Sequence, residues 1–451
     1  MVLISKGGFS MTVKFSFTQV LFLLLITIIG VFLSVIYHQP LVIGFLPGYL
    51  VLFLLSLKST VSIRETIKIS FIGVHKTRIV IIILFLVSFL LPSWYLSGTI
   101  EQMVKIALDL IHPHHFFILS FFISMIFSML LGTTIGTLSA IGVPLLGTAA
   151  VLQLPLPIVA GALVSGAFVG DRTSPFSSAH QLLAHTVEVP VKRQGKAMFM
   201  TTITAILFCL CFYGVVDAQF ASKASLSSDH LIWSELSPAR FIPPITLIVF
   251  VLFRMSIIYA FLSSILSAVV ISFVNGTSWT TLAAAFWHGI DGLGGGFIHM
   301  YQLLLFLALA GAYNGLLEKL NVIQPYLDKW LDSSHSLLVD TLKTLMATLI
   351  ITLIAANQTL PIILTGRSFL PHWSHYYGKE ELARVMGDST MLFPGVVPWS
   401  VLAIMCSTIV GIPMFEYFLY ALFLWVLPII TILVSLGKGM RNSKNHPTAT
   451  A

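Results

Sequence analysis

The sequence predicts an all-α, polytopic transmembrane bundle of two inverted repeats, with broken helices and re-entrant hairpins. Of its 451 residues, 57% are hydrophobic and only 9% are charged, whereas soluble domains carry about a quarter charged residues. Apolar stretches of membrane-spanning length recur, among them Phe17 to Tyr37, Ile79 to Leu96 and Ala197 to Val216. Because these stretches are continuous rather than alternating, they favour membrane helices over the strands of a barrel.

The second half of the chain repeats the hydropathy of the first half, at a shift of roughly 215 positions. The shift places Leu41 to Leu57 on Ser256 to Phe273, Leu96-Ser97-Gly98 on Leu309-Ala310-Gly311, and Gly170-Asp171 on Gly387-Asp388. We therefore divide the chain into four parts. They are a first transmembrane repeat (1–217), an external connecting loop (218–240), a second, inverted repeat (241–437) and a cytoplasmic tail (438–451).

Basic residues predict how the chain is oriented, because cytoplasmic loops carry an excess of Lys and Arg. We expect two such loops, one with Lys58, Arg64, Lys68, Lys76 and Arg78, and one with Lys192, Arg193 and Lys196. Two crossings precede the first loop, which places the N-terminus in the cytoplasm. The second half then starts on the outside, and the basic residues from Lys438 onwards place the C-terminus in the cytoplasm. The sequence thus predicts a multi-pass protein of the plasma membrane.

Polar segments interrupt the apolar helices twice in each half. They are Leu131 to Ser139, Asp171 to Ser178, Ala355 to Thr359, and Gly387 to Ser400. In the second of them, Pro175 lacks an amide donor and the preceding Gly170 permits unusual backbone angles, so the helix should open. Irregular backbone at membrane depth is tolerated only where it lines a cavity. We expect two hairpins, one from each side, to meet at the midplane as in inverted-repeat transporters.

A carboxyl group at such a break is the predicted centre of transport. Burial disfavours its charged form, so the group can exchange a proton for a metal cation, which also needs several further oxygen ligands. The alternative is that each aspartate only caps a half-helix or pairs locally. The predicted site residues are Asp171, Thr173, Ser174, Ser177, Asp388, Ser389, Thr390, Thr134, Thr137, Asn357 and Gln358. The two aspartates are the predicted ligands of a small, hard transported cation.

Several polar residues near the breaks allow two interpretations. Arg172 could neutralise Asp171, which we favour, or bind a substrate carboxylate with its fork of donors. Asn357 and Gln358 could bind substrate or link helices, and His180 and His185 are interpreted as packing residues rather than proton relays.

Other classes of function find no support in the sequence. A phosphate-binding Gly-Lys-Ser/Thr loop is missing, and the three cysteines lie in apolar stretches without zinc-site spacing. We expect no cofactor, no nucleic-acid partner and no enzymatic activity. The expected partners are the lipid bilayer and a transported cation and proton or small organic solute, and homo-oligomerisation is left open.

The segment from Gly170 to Ser177 resembles the Gly-Asp-Lys/Arg-x-Ser-Pro-x-Ser hallmark of the NhaC-type sodium/proton antiporter family. Gly132 to Thr137, Gly366-Arg367, Asp388-Ser389 and Val397-Pro398-Trp399 also look like elements of that family. The resemblance implies an ion-transporter helical bundle that exchanges sodium for protons. The chain departs from the pattern where Ser178, Asn357 and Gly387 replace acidic residues, which leaves Asp171 and Asp388 to carry the cation chemistry.

The favoured function is therefore sodium/proton antiport through buried aspartates in alternating access. The alternative is a cation- or proton-coupled carrier or exchanger of small organic acids of the malate/lactate type, or of amino acids. In that case Arg172 or Arg367 would be the charge partner of the substrate carboxylate.

Overall fold

The structure is a computed structural model. It describes residues 15–37, 39–59, 61–110, 115–220, 237–253, 255–290, 295–331 and 336–445. Most of the predicted connecting loop and the last six residues of the predicted tail lie outside these ranges, as do His112, His114 and Arg254.

The described residues form a helical bundle, and the first half of the chain contributes nine of the helices that the structure describes. They are α1 (Phe17–Ile36), α2 (Leu41–Lys58), α3 (Ile63–Leu96), α4 (Thr99–Leu110), α5 (Phe116–Leu131), α6 (Thr134–Val151), α7 (Leu156–Thr173), α8 (Ser178–Thr186) and α9 (Val191–Phe220). Helix α6 contains a π-helical turn at Leu138–Gly142.

The second half contributes twelve further helices within the described ranges, several of them short. They are α10 (Pro238–Leu252), α11 (Ile257–Val274), α12 (Trp279–His288), α13 (Phe297–Lys319), α14 (Gln324–Leu327), α15 (Leu337–Ala355), α16 (Thr359–Tyr376), α17 (Lys379–Asp388), α18 (Phe393–Val396), α19 (Val401–Val410), α20 (Met414–Tyr420) and α21 (Leu422–Asn445).

Eight helices in the described part of the chain are long and apolar enough to cross a bilayer, and two bent helix pairs raise this number to ten. The bends are 59° between α17–α18 and α19, and 49° between α20 and α21. The predicted all-α, multi-pass bundle with interrupted helices is confirmed. The inversion of the second half relative to the first stays a prediction.

Two predicted basic loops are helical, which corrects the sequence interpretation. Arg64, Lys68, Lys76 and Arg78 lie within α3, which begins at Ile63 and is 34 residues long. Such a helix measures about 50 Å, more than the roughly 30 Å of the hydrocarbon core, so it can extend its charged first turns beyond the lipid. The second basic cluster likewise lies in the first turns of α9.

Two boundaries also differ from the prediction. The predicted tail begins inside α21, which continues to Asn445. Gly311, which the shift places on Gly98, lies within α13 and not at a helix junction. A side chain at Gly311 would meet Thr77 of α3, so this glycine permits close helix packing rather than a chain break.

The helices form two groups according to their packing. Helices α1 to α3 pack with α10 to α13, and we call this set the flanking group. Helices α5 to α9 pack with α15 to α21, and we call this set the central group. Contacts between the two groups are sparse. On one side, α1 and α13 contact α15, and on the other, α10 contacts α5 and α6. Helix α4 packs against α3 of the flanking group and α6 of the central group.

The central group contains one helical hairpin from each half of the chain. Helices α5 and α6 are joined at Gly132, and α15 and α16 are joined at Ala356; both of these residues adopt left-handed backbone angles, with φ of 68° and 52°. At the far end of the second hairpin, Asp340 of α15 accepts hydrogen bonds of 2.9 Å from His372 and Tyr377. Each hairpin is followed by a helix that ends in a break, α7 in the first half and α17 in the second.

Helix α7 follows the same direction as α5 and lies very close to it. Ser124 of α5 donates a 2.6 Å hydrogen bond to the carbonyl oxygen of Leu163, and Ser128 donates to that of Ala167. Gly166 faces the α5 backbone so closely that an added Cβ would overlap the carbonyl oxygen of Phe121. Small residues at this interface therefore set the position of the C-terminal end of α7.

We predict that Gly166→Ala lowers the free energy of unfolding by about 1–3 kcal/mol, because the new methyl group must push α7 away from the α5 backbone. The measurement is the melting temperature of the detergent-purified protein. Gly195→Ala in α9 is the matched control, because nothing lies within 4 Å of its added Cβ and alanine favours a helix. Equal melting temperatures for the two variants would contradict the close packing.

Candidate functional site

The breaks of the two halves meet inside the central group. Gln358, at the joint of the second hairpin, donates a 2.9 Å hydrogen bond to the carbonyl oxygen of Met391 in the break after α17. Its amide also lies 3.4 Å from Oδ2 of Asp171, at the end of α7. The amide of Val401, which starts α19, donates to the carbonyl oxygen of Ala356. One side chain thus connects three interrupted segments.

Asp171 lies in the last turn of α7, just before the chain opens at Ser174. Its side chain is buried, with 8% exposure, and no basic side chain forms an ion pair with it in the described part of the structure. Thr134 and Ser177 lie beside the same carboxyl group. The first break therefore has a carboxyl group that is surrounded by neutral polar atoms.

Arg172 does not pair with its neighbour Asp171, contrary to the favoured prediction. Adjacent residues on a helix point in different directions, and the guanidinium of Arg172 instead forms an ion pair with Asp388. It also donates to the carbonyl oxygen of Gly387 at 2.9 Å and to Thr202 at 2.6 Å. Both charged side chains are fully buried, so a charge-assisted bond joins the two breaks.

Asp388 has further partners that stabilise its charge. Thr201 of α9 donates a 3.1 Å hydrogen bond to the same carboxyl oxygen that Arg172 contacts. The second carboxyl oxygen lies 3.6 Å from Arg384, one turn earlier on α17. Arg384 in turn pairs with Glu381 at 2.6 Å, and Glu381 pairs with Lys438 at 2.7 Å. Asp388 therefore lies between Arg172 and Arg384 in a row of alternating charges, and this geometry does not favour its predicted role as a Na+ ligand.

Three predicted ligands bond to their own helix. Thr137, Thr173 and Ser389 each donate a hydrogen bond to the carbonyl oxygen four residues earlier. A hydroxyl group that donates its proton in this way keeps oxygen lone pairs that can bind a cation. Their role in ion binding stays a prediction.

Three other predicted residues stabilise the broken backbone. Ser174 donates a 2.8 Å hydrogen bond to the carbonyl oxygen of Met129, which fixes the end of α7 against α5. Ser177 accepts from the third amide of α8 and so caps that helix. Asn357 accepts from the amide of Leu360 in the first turn of α16. These contacts hold the breaks in shape, which is a structural role beside any role in binding.

Two predicted ligands retain unused oxygen atoms. Thr134 and Thr390 are buried, and the hydroxyl oxygen of each has no hydrogen-bond partner among the described residues. Ser400, in the same break as Thr390, is in the same state. Buried hydroxyl groups without a partner are unfavourable. These orphaned oxygens, close to the breaks, are suited to a small hard cation.

The remaining predictions fall outside this cluster. Arg367 is exposed on α16 and lies about three turns beyond the hairpin joint at Ala356. His185 is also exposed, whereas His180 is buried and accepts a 3.0 Å hydrogen bond at its ring nitrogen from Gln194. That contact agrees with the interpretation of His180 as a packing residue.

The sequence interpretation missed Thr201, Thr202 and Arg384. The two threonines lie in an apolar stretch that was assigned only to spanning the membrane, and nothing local marks them as partners of distant charges. Arg384 could have been found, because it lies four residues before Asp388 on one helix and side chains at this spacing face each other.

Membrane-length helices that break around buried charged groups define an ion-coupled transporter of the membrane. In agreement with this, the sequence model of the Na+/H+ antiporter family matches residues 166–437, more than half of the chain. The protein belongs to the Na+/H+ antiporter family, and the resemblance to its NhaC-type members is confirmed.

Three relatives of known name cover most of the chain. The Na+/H+ antiporter NhaC of Bacillus subtilis (strain 168) is 27% identical over 382 residues, which are 79% of this chain and 84% of the relative. The malate-2H+/Na+-lactate antiporter of the same organism is 25% identical over 87% of this chain and 90% of the relative. The arginine/ornithine antiporter ArcD of Halobacterium salinarum is 22% identical over 78% of both.

We predict that Arg172→Gln and Asp388→Asn each lower the free energy of unfolding by about 3–5 kcal/mol, because each leaves a buried charge without its main partner. The double variant should lose less than the sum of the two, since it leaves neither charge behind. Thermal melting of the purified proteins measures this.

The matched control is Lys76→Gln, which removes an ion pair with Glu318 whose side chains are 59% and 46% exposed. It should melt like the wild type, because exposed pairs contribute little. Additive losses for the two buried variants would show that Arg172 and Asp388 do not stabilise each other.

Proposed function

We propose that this chain exchanges Na+ for H+ across the membrane, with Asp171 as the group that binds either ion. The observation that carries the proposal is the state of Asp171: a buried carboxyl group, at a helix break, without a basic partner among the described residues. Membership of the Na+/H+ antiporter family and the similarity to NhaC of B. subtilis support it.

The exchange follows from the chemistry of a buried acid. Without a neighbouring cation, the ionised carboxylate is costly to bury and takes up a proton from water. A Na+ ion stabilises the carboxylate in place of that proton, with Thr134 and Ser177 beside it to add oxygen ligands. Protonated Asp171 thus releases one H+ when it binds one Na+. Alternating exposure of the site to the two sides then couples opposite flows of the two ions.

We predict that Asp171→Asn abolishes exchange, because an amide can neither release a proton nor balance the charge of Na+. The measurement is the collapse of a pH gradient on addition of Na+ to proton-tight everted vesicles, normalised to the amount of protein. Retention of wild-type collapse by this variant would exclude Asp171 as the exchange site.

The matched control is Asp217→Asn at the end of α9. Asp217 is also buried, but it accepts hydrogen bonds of 2.9 and 3.0 Å from the amides of Phe117 and Ile118 and so caps α5. An asparagine can still accept one of these bonds, so exchange per molecule should be retained. A complete loss here would show that the assay responds to any buried carboxyl group.

The geometry gives less support to an organic-solute exchanger. Malate, lactate and arginine are cargoes named for two of the relatives, and a substrate carboxylate would need a free guanidinium. Arg172 uses all three of its guanidinium nitrogens within the protein, and Arg367 is exposed away from the breaks. Uptake of labelled malate, lactate and arginine by reconstituted protein is the direct test, and saturable uptake of any of them would favour this second function.

A further inference from the structure

We infer that Arg172 is a fixed internal counter-charge for Asp388, so that the site exchanges one negative charge and the transport cycle moves one Na+ against one H+ without net charge. This inference rests on the proposed function and adds its stoichiometry. It follows from which charges are paired inside the central group.

The four break segments contain only two carboxyl groups, Asp171 and Asp388. If both were free to bind ions, two protons could be exchanged for one Na+ and each cycle would carry a net charge. The two carboxyl groups have different environments in the structure. Asp388 is in contact with Arg172, Arg384 and Thr201, whereas Asp171 is contacted, among the residues that the structure describes, by neutral groups alone.

The identity of the partner decides whether the pair can take part in proton exchange. Arginine stays charged in proteins, whereas a buried lysine can lose its proton. Arg172 therefore cannot release a proton when Na+ arrives. One carboxyl oxygen of Asp388 faces Arg172 and the other faces Arg384, so this ion pair offers no vacancy for Na+.

The position of the pair also prevents Asp388 from turning towards the cation. Arg172 is held on its other side by the carbonyl oxygen of Gly387 and by Thr202. Arg384 is held by Glu381 at 3.0 and 2.6 Å. Both arginines are thus fixed by further contacts. If Asp388 turned towards Na+, it would leave the two guanidinium groups without its carboxylate in the protein interior.

The test uses purified wild-type protein in proteoliposomes, with a pH-sensitive dye inside and the membrane potential clamped by K+ and valinomycin. A tenfold K+ gradient should change the rate of Na+-driven proton movement by less than about twofold, and the final Na+ ratio should equal the H+ ratio. A cycle that moves one net charge would instead shift the final Na+ ratio by about tenfold under this gradient.

The outcomes separate the inference from the proposed function. A potential-dependent final ratio would overturn the single-charge site and leave Na+/H+ exchange intact. No Na+-driven proton movement at any potential would overturn the exchange itself. An unchanged final ratio supports both.

Charge variants test the role of Arg172 separately. Asp388→Asn removes the carboxylate that balances Arg172, whereas Arg384 keeps its pair with Glu381. It should therefore raise the half-saturating Na+ concentration by about tenfold or more, since nearby positive charge opposes a cation. The double variant Arg172→Gln/Asp388→Asn removes this surplus charge and should recover part of the loss. A double variant that binds Na+ less well than Asp388→Asn would contradict the counter-charge role. If neither variant folds, the wild-type measurement still decides the stoichiometry.

Discussion

The buried ion pair between Arg172 and Asp388 is the interaction on which the centre of this protein depends. It joins the end of α7 to the end of α17, which are about 215 residues apart in the chain. Each partner alone would be an unpaired charge in the protein interior, and burial of such a charge is strongly unfavourable. The two interrupted helices therefore stabilise each other across the two halves of the chain.

The surroundings of the ion pair explain why Asp171 can exchange ions whereas Asp388 cannot. Thr201 and Thr202 of α9, together with the carbonyl oxygen of Gly387, bind the guanidinium and the carboxylate of the pair. Arg172 uses all three of its guanidinium nitrogens on these partners and on Asp388, and it forms no ion pair with Asp171 in the described part of the chain. The site thus contains one carboxyl group that stays in an ion pair, Asp388, and one that can exchange ions, Asp171.

The sequence predicted most of the helical content and the location of the breaks, because lipid imposes long apolar stretches and any interruption is conspicuous. It also placed Gln358 among the residues of the site, and the structure brings Gln358 to Asp171. The predicted partner of Arg172, Asp171, was wrong for a physical reason. Neighbours in sequence diverge on a helix, while the true partner comes from the other half of the chain, and no local pattern encodes that contact.

The predicted helix boundaries next to the basic residues of α3 and α9 were wrong for a different reason. Lys, Arg and Glu are good helix formers, so charged residues after a membrane span do not by themselves end a helix. Helix α3 begins at a Ser62 cap with Glu65 in its first turn, and these capping signals mark its start better than hydropathy does.

Packing also limits how the site can move during transport. Separation of the two breaks from each other would pull Arg172 away from Asp388 and leave both charges buried without a partner, at a cost of about 3–5 kcal/mol. Contacts between the central and flanking groups are sparse by comparison. They include one hydrogen bond of 2.8 Å from Asn314 of α13 to the carbonyl oxygen of Ala355 at the second hairpin. A movement of the whole central group keeps the ion pair intact and breaks only weaker contacts, so energetics favour transport in which both breaks move together.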